Sequence, residues 1–235
     1  MNLERNLKDK KQKKKRRSNF LYDFVKVTGL IPTLILMRPK FFHPYGKKRY
    51  YKGGILAACN HVDFLDPVVL LLTFWYRRVH SVATNELFSN KQKAFFFSHI
   101  HCIPIDKKNF TVTSLREIVN RLKAGHLVTI FPEGTVVKDV ATQHELAYKS
   151  GVILMALKSK TPILPIYVGD VKKWYSRRII VMGEPIDFCS LYENPTKADI
   201  YEMTNILRQK EIELMDYYEE HYASKKRKKP GEDKK

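Results

Sequence analysis

The stretch Asn60-His61-Val62-Asp63-Phe64-Leu65-Asp66-Pro67 is the first place in the sequence where residue types and spacing could do chemistry. A histidine held by a carboxylate has a fixed tautomer and a stabilised imidazolium, and it can take a proton from a hydroxyl near neutral pH. In a continuous helix His61 and Asp66 would point about 140° apart, so they can pair only across a turn. Pro67 fits the first position of a helix, which makes Asp66 a helix cap and leaves His61 in the loop before it. On spacing alone, a capping Asp66 with an incidental His61 is as good a reading as a catalytic pair.

A second such place is Phe131-Pro132-Glu133-Gly134-Thr135, a turn after an apolar run that carries a carboxylate, a permissive glycine and a hydroxyl. Backbone N–H groups in a turn of this kind can bind phosphate or a developing oxyanion. Cys59 lies two residues before His61, so on an extended strand the two could face the same side as a thiol–imidazole pair. The simpler reading is a buried, inert cysteine. Ser98-His99-Ile100-His101-Cys102 has metal-binding residue types, but no complementary Cys/His pair follows at ligand spacing. A strand with ordinary side chains is expected there, and no metal.

These residues need a scaffold, and the apolar pattern beyond Lys52 alternates short runs with helical spacing. Strands are expected at 55–59, 79–83, 100–105, 126–131, 163–168 and 178–182, with helices at 67–75 and 149–159. Another helix carries Val112, Leu115, Ile118 and Leu122, with Ser114 and Glu117 at capping-box spacing and Gly125 as its C-terminal cap. The closing helix shows Ile200, Met203, Leu207 and Leu214 on one side. Strands alternating with helices imply an α/β single domain with a central, largely parallel or mixed sheet flanked by helices. A chain of 235 residues is long enough for one such core and short for two.

The formal charge of +19 predicts attraction to polyanions such as nucleic acid, anionic lipid or phosphorylated substrates. Its densest runs, Lys8 to Arg17 and Lys225 to Lys229, are at the two ends and read as mobile arms rather than a carved groove. Phe20 to Met37 is strongly apolar but includes Asp23, Lys26, Gly29 and Pro32. Its uncharged part, Val27 to Met37, would cover about 17 Å as a helix against a hydrocarbon core of about 30 Å. An interfacial, Pro-broken helical pair fits better than a span, because it lets Asp23 and Lys26 reach water. The basic run beside it adds a second membrane signal. No basic-aromatic motif of a nucleic-acid reader is present, so specific nucleic-acid binding is not expected. Three cysteines, an odd count with no cleavable-looking leader, point to a reducing cytoplasm.

The joint occurrence of these features resembles a known family, the glycerolipid acyltransferases, particularly the 1-acylglycerol-3-phosphate (lysophosphatidate) acyltransferases. Their Asn-His-x4-Asp block matches Asn60, His61 and Asp66, and their FPEGT block matches Phe131 to Thr135. A second block resembles Ile103 to Lys107, a fourth resembles Pro162 to Pro165, and Lys149-x-Gly151 falls where the family has Lys-x-Gly. The resemblance runs from about Gly53 to Pro185 in the family's order.

It implies that His61 activates the acceptor hydroxyl, that Asp66 orients His61, and that the hydroxyl attacks an acyl-CoA or acyl carrier protein thioester. The thioester is then a co-substrate, with no cofactor. It further implies that Glu133, Gly134 and Thr135 hold the glycerol-phosphate end of a lysophospholipid acceptor. The family's usual arginines are replaced by Lys107 and Val136, so phosphate would be met by Lys107, Lys108, Lys138 or Lys149. The expected product is phosphatidate, made at the cytoplasmic face of an anionic membrane by a peripheral or monotopic enzyme. The expected organisation is a basic tail (1–18), a membrane-associated helical segment (19–45), an acyltransferase domain (46–222) and a basic C-terminal tail (223–235). Two alternatives stand beside it: another lysophospholipid or hydroxyl acceptor, and a non-catalytic basic protein that binds anionic lipid or nucleic acid.

Overall fold

Ile55–Cys59 (β2) is buried along its whole length, and its side chains divide between two cores. Leu56 and Ala58 face one side, whereas Ile55, Ala57 and Cys59 face the other, as the two-residue period of a strand dictates. A strand buried on both faces belongs in the middle of a sheet covered by helices on each side. In a computed structural model, which describes residues 2–46, 50–106, 111–137, 140–169 and 175–223 with side chains from Asn19 onward except at 30, 140, 141 and 144, that is where it lies.

Among the described residues the sheet has seven strands in the order β1-β7-β6-β2-β5-β3-β4. They are Lys40–Phe42 (β1), β2, Val79–Thr84 (β3), Ile103–Ile105 (β4), Leu127–Ile130 (β5), Ile163–Val168 (β6) and Ile179–Met182 (β7). Neighbours are parallel except β6 and β7. On one face Ile118 and Leu122 of α4 (Val112–Lys123), Val152 and Met155 of α6 (Gly151–Ser159), and Met203 and Leu207 of α8 (Lys197–Tyr218) pack together. On the other face Val69 and Leu70 of α2 (Asp66–Thr73) pack with Phe74 and Met37.

The expected strands and helices are present, with differences that have local causes. Strand β4 begins only at Ile103, because Lys91–His99 forms a helix (α3) capped by the Asn90 side chain, and His101 turns the chain at φ +64°. The histidine-rich fragment is therefore a helix end and a turn rather than a strand. Cys102 is well covered, and burial pushes its thiol up to about 12. Helix α4 is capped by Thr111, whose hydroxyl accepts from the Ser114 N–H, and Glu117 pairs along the helix with Arg121 instead of closing a capping box. At its other end Gly125 (φ +80°) and His126 return N–H bonds to the carbonyls of Leu122 and Arg121, a Schellman ending that demands the left-handed conformation.

The N-terminal segment is one helix, α1 (Asn2–Met37), rather than a pair broken at Pro32. Pro32 removes a bond to the carbonyl of Thr28, yet the helix continues through it, with the Thr33 hydroxyl donating to the Gly29 carbonyl at 2.6 Å. Among its described side chains, three polar ones reach the protein body. The Tyr22 hydroxyl accepts from the Val79 N–H at 2.8 Å, Lys26 donates to the Arg77 carbonyl at 2.9 Å, and Asp23 pairs with Arg78. An apolar stripe points away: Phe20, Phe24, Val27, Ile31 and Ile35 are all exposed, at spacings that place them on one side of the helix. Phe95 and Phe96 of the neighbouring α3 are exposed as well. Residues 224–235, which include the C-terminal basic run, lie outside the described residues, as do the side chains of the N-terminal one.

Gly54 marks the closest approach between β2 and the helical layer. A Cβ there would overlap the main-chain carbonyl of Leu122 and press on the Thr161 side chain. Gly54→Ala should therefore destabilise by about 1–3 kcal/mol, and thermal unfolding should shift down by roughly 2–10 °C. An unchanged midpoint would contradict this packing.

Candidate active site

Parallel register carries the ends of distant sequence segments to one place. Ala58 of β2 sits beside Ile130 of β5, so Asn60 and His61 leave the sheet next to Phe131, Pro132 and Glu133. Asn60 is fully buried and acts as a splice. Its amide donates to the Val168 carbonyl at 2.9 Å and accepts from the Val168 N–H at 2.7 Å, extending the β2–β6 ladder by a side chain. The main chain is then free to turn.

The turn is organised by Asp66, which is completely buried. Its Oδ2 accepts from the N–H groups of Val62 (2.8 Å) and Asp63 (2.7 Å) and lies 2.9 Å from His61 Nδ1. Asp66 is thus the first residue of α2 rather than its cap, and its side chain reaches back into the loop. The pairing across a turn that the spacing required is present. A carboxylate partner makes Nδ1 the protonated nitrogen and leaves Nε2 as the acceptor. The imidazole lies flat on Phe131, with ring centroids 4.1 Å apart. Asp63 is held separately by a salt bridge to the fully buried Arg178.

Glu133 stands behind His61. Its Oε2 accepts the His61 main-chain N–H at 3.1 Å, so the two motif blocks are braced directly to each other. Only 5% of Glu133 is exposed, and burial pushes its carboxyl from 4.5 up to about 7, against the pull of that N–H bond and of the Arg208 charge. Gly134 closes the turn at φ +71°, its N–H donating to the Phe131 carbonyl at 3.0 Å. A Cβ on Gly134 would lie 2.9 Å from Lys149 Nζ, so the lysine arches over the glycine. Thr135 is exposed beside this turn. Lys107, Lys108 and Lys138 lie outside the described residues.

In front of His61 opens a cavity of about 620 Å³. Val82, Ile130, Tyr148, Val152 and Met155 make its deep wall mostly apolar, and His61, Gly134 and Lys149 stand along its lining. An apolar chamber that presents an oriented imidazole and a nearby cation suits a long apolar substrate whose polar end reacts at the histidine. Cys59 offers no competing chemistry. It is fully buried, its Sγ lies 3.6 Å from Asn60 Oδ1, and burial pushes the thiol well above its ordinary range. Among the described residues no cluster of three or more His, Cys, Asp or Glu side chains is arranged to hold a metal ion.

Two residues of this region are not singled out by the sequence reading, Arg208 and Glu211 of α8. Both are buried, and Arg208 Nη1 donates to Glu211 Oε1 at 2.6 Å. A signal for them exists: Glu211 is four residues after Leu207 and three before Leu214, inside the stripe that faces the core.

Residues 41–169 match the family model described as Acyltransferase. A 1-acyl-sn-glycerol-3-phosphate acyltransferase of Bacillus subtilis (strain 168) is 30% identical over 167 residues, covering 69% of this chain and 81% of that protein. A protein of the same name from Streptococcus pneumoniae is 25% identical, covering 64% of this chain and 56% of that one. The crystal structure of the 1-acyl-sn-glycerophosphate (LPA) acyltransferase PlsC from Thermotoga maritima has the same fold, with a TM-score of 0.61 at 17% identity over 87% of this chain and 82% of that one.

The raised Glu133 carboxyl has a stability signature. The folded protein holds this proton up to about pH 7 whereas the unfolded chain releases it near 4.5, so stability falls as pH rises through that window. Glu133→Gln should reduce the fall in unfolding midpoint between about pH 5 and pH 8. The slope should shrink rather than vanish, since burial raises Glu211 in the same sense. An unaltered slope would show that Glu133 is not titrating there.

Proposed function

The chain belongs to the acyltransferase family, and from that premise we propose that it transfers a fatty acyl group from a thioester to the free hydroxyl of 1-acylglycerol-3-phosphate, giving phosphatidate. The observation that carries this reading is the His61–Asp66 pair at 2.9 Å on the wall of an apolar cavity. Nε2 of His61 removes the hydroxyl proton, and the oxygen attacks the thioester carbonyl. The tetrahedral intermediate collapses by breaking the C–S bond, and the imidazolium returns the proton to the leaving thiolate. Asp66 fixes the tautomer and stabilises the imidazolium. No acyl-enzyme and no cofactor are needed. The donor is acyl-CoA or acyl carrier protein.

For the acceptor, Gly134 and Thr135 offer a turn for the glycerol-phosphate end, Glu133 anchors that turn to His61, and Lys149 provides the cation seen beside it. Lys107 is proposed as a second cation from the sequence alone. The names of the bacterial relatives favour this acceptor over other lysophospholipids.

We further propose that α1 lies on the cytoplasmic face of an anionic membrane. Asn19–Met37 has a mean hydropathy of 1.6 and is long and apolar enough to cross by length and composition. Crossing would strip Tyr22, Asp23 and Lys26 from their partners on the protein body, whereas lying flat keeps those contacts and covers the stripe from Phe20 to Ile35. Phe95 and Phe96 extend the same surface, and the basic ends add attraction to anionic headgroups.

Purified protein assayed with acyl-CoA and acyl carrier protein thioesters should acylate lysophosphatidate in preference to neutral monoacylglycerol. His61→Ala should lower kcat by about 100-fold or more with the fold intact. Full activity in His61→Ala would remove the proposed base, and preference for the neutral acceptor would remove the headgroup assignment.

The membrane reading has its own test in vesicle sedimentation. Replacing Phe24 and Ile31 together by Ser should weaken binding at low and high salt alike, whereas deleting residues 1–17 should weaken it mainly at low salt. Equal binding of all three proteins would overturn it.

A further inference from the structure

The long closing helix carries a buried ion pair that packs against the wall of the cavity. Arg208 is 8% exposed and Glu211 is 1% exposed. The guanidinium lies over the ring of Tyr148, a wall residue of the cavity, at 5.0 Å, and donates to Glu211 through Nη1. Its Nε and Nη2 have no hydrogen-bond partner among the described residues, and neither has Oε1 of Glu133. A buried arginine that uses part of its fork on one carboxylate, within electrostatic reach of a second, is a shared counter-charge.

We propose that Arg208 is a positioning residue for acyl transfer: it supplies the counter-charge for the Glu133 carboxylate that grips the His61 main chain, and Glu211 competes for the same cation. The inference rests on the acyltransferase reading of the His61 site. Its chemistry is a matter of which carboxylate keeps a proton. One buried carboxyl bonded to the guanidinium and a second within its electrostatic reach cannot both ionise at low cost, and both are pushed up by desolvation. Other groups facing Glu133 are His61 and the carboxylate of Asp66 in front, with Tyr167 of β6 facing Arg208. An ionised Glu133 is the better acceptor for the His61 N–H, and the loop that aims the imidazole depends on that bond.

The two members of the pair therefore act in opposite directions. Arg208→Met removes the positive charge and should move the acid limb of kcat/KM up by about one pH unit, with kcat falling more than KM rises. Arg208→Lys keeps the charge and should restore most of the wild-type limb. Glu211→Gln removes the competitor and should move the limb down. In a Glu133→Gln background neither substitution should move it, which separates action through Glu133 from action on His61 directly.

The measurement is the pH profile of acyl transfer to lysophosphatidate by the purified full-length chain and its variants, with thermal unfolding as a check on folding. Wild-type protein without acyl transfer would sink the underlying reading rather than this inference. In an active enzyme, an acid limb unmoved by Glu211→Gln, or moved upward, would overturn the role of Arg208 even if Arg208→Met does not fold. Equal losses of stability and rate with unchanged profiles would mark a packing pair and overturn it as well.

Discussion

One buried oxygen sets the geometry of this protein's site. Asp66 Oδ2 has three polar hydrogens aimed at it, two from the main chain of the loop before it and one from the His61 ring. A carboxylate buried without partners would be strongly disfavoured, so the loop must fold back on α2 to satisfy it. That requirement turns the chain between His61 and Asp66, and it also makes Nδ1 the donor nitrogen of the imidazole. Orientation, tautomer and loop shape are one constraint rather than three.

The surrounding contacts keep that loop from moving as a unit. Asn60 ties its start to β6, Asp63 is pinned by Arg178 beside the end of α1, and the His61 N–H is taken by Glu133 in the turn after β5. Each tether comes from a different element, and each is at least partly buried. The imidazole is therefore positioned by the middle of the sheet on one side and, through Asp63 and Arg178, by the start of β7 on the other. Preorganisation of this kind avoids reordering polar groups when a proton is transferred.

Much of this was legible before the structure, because the central strands are continuous apolar runs and the helices have clear periodicity and ends. Helix geometry and Pro67 show that His61 and Asp66 can pair only across a turn; the pairing itself is implied by the family resemblance, since spacing alone leaves an incidental His61 equally open. What escaped has physical reasons. Helix α3 is apolar on several sides and only 9 residues long, so periodicity carries little signal there, and the three-residue β1 has less. Asp66 was read as a helix cap because local spacing cannot show a side chain reaching backwards. Pro32 signals a break, yet the helix runs through it. Arg208 and Glu211 sit in a stripe that reads as apolar core, and only the placement of α8 behind Glu133 reveals what they face.

The inverted polarity of α1 has a consequence for where catalysis is counted. A helix whose Asp23 and Lys26 reach the protein while its stripe from Phe20 to Ile35 turns outward leaves that stripe in water, where exposed apolar area costs about 25 cal/mol per Å². Such a molecule minimises that area by adsorbing or by clustering with its own kind. For an enzyme adsorbed in this way, encounter with a lipid acceptor becomes a search in two dimensions. Its output then scales with the lipid area on offer rather than with the volume of the solution around it.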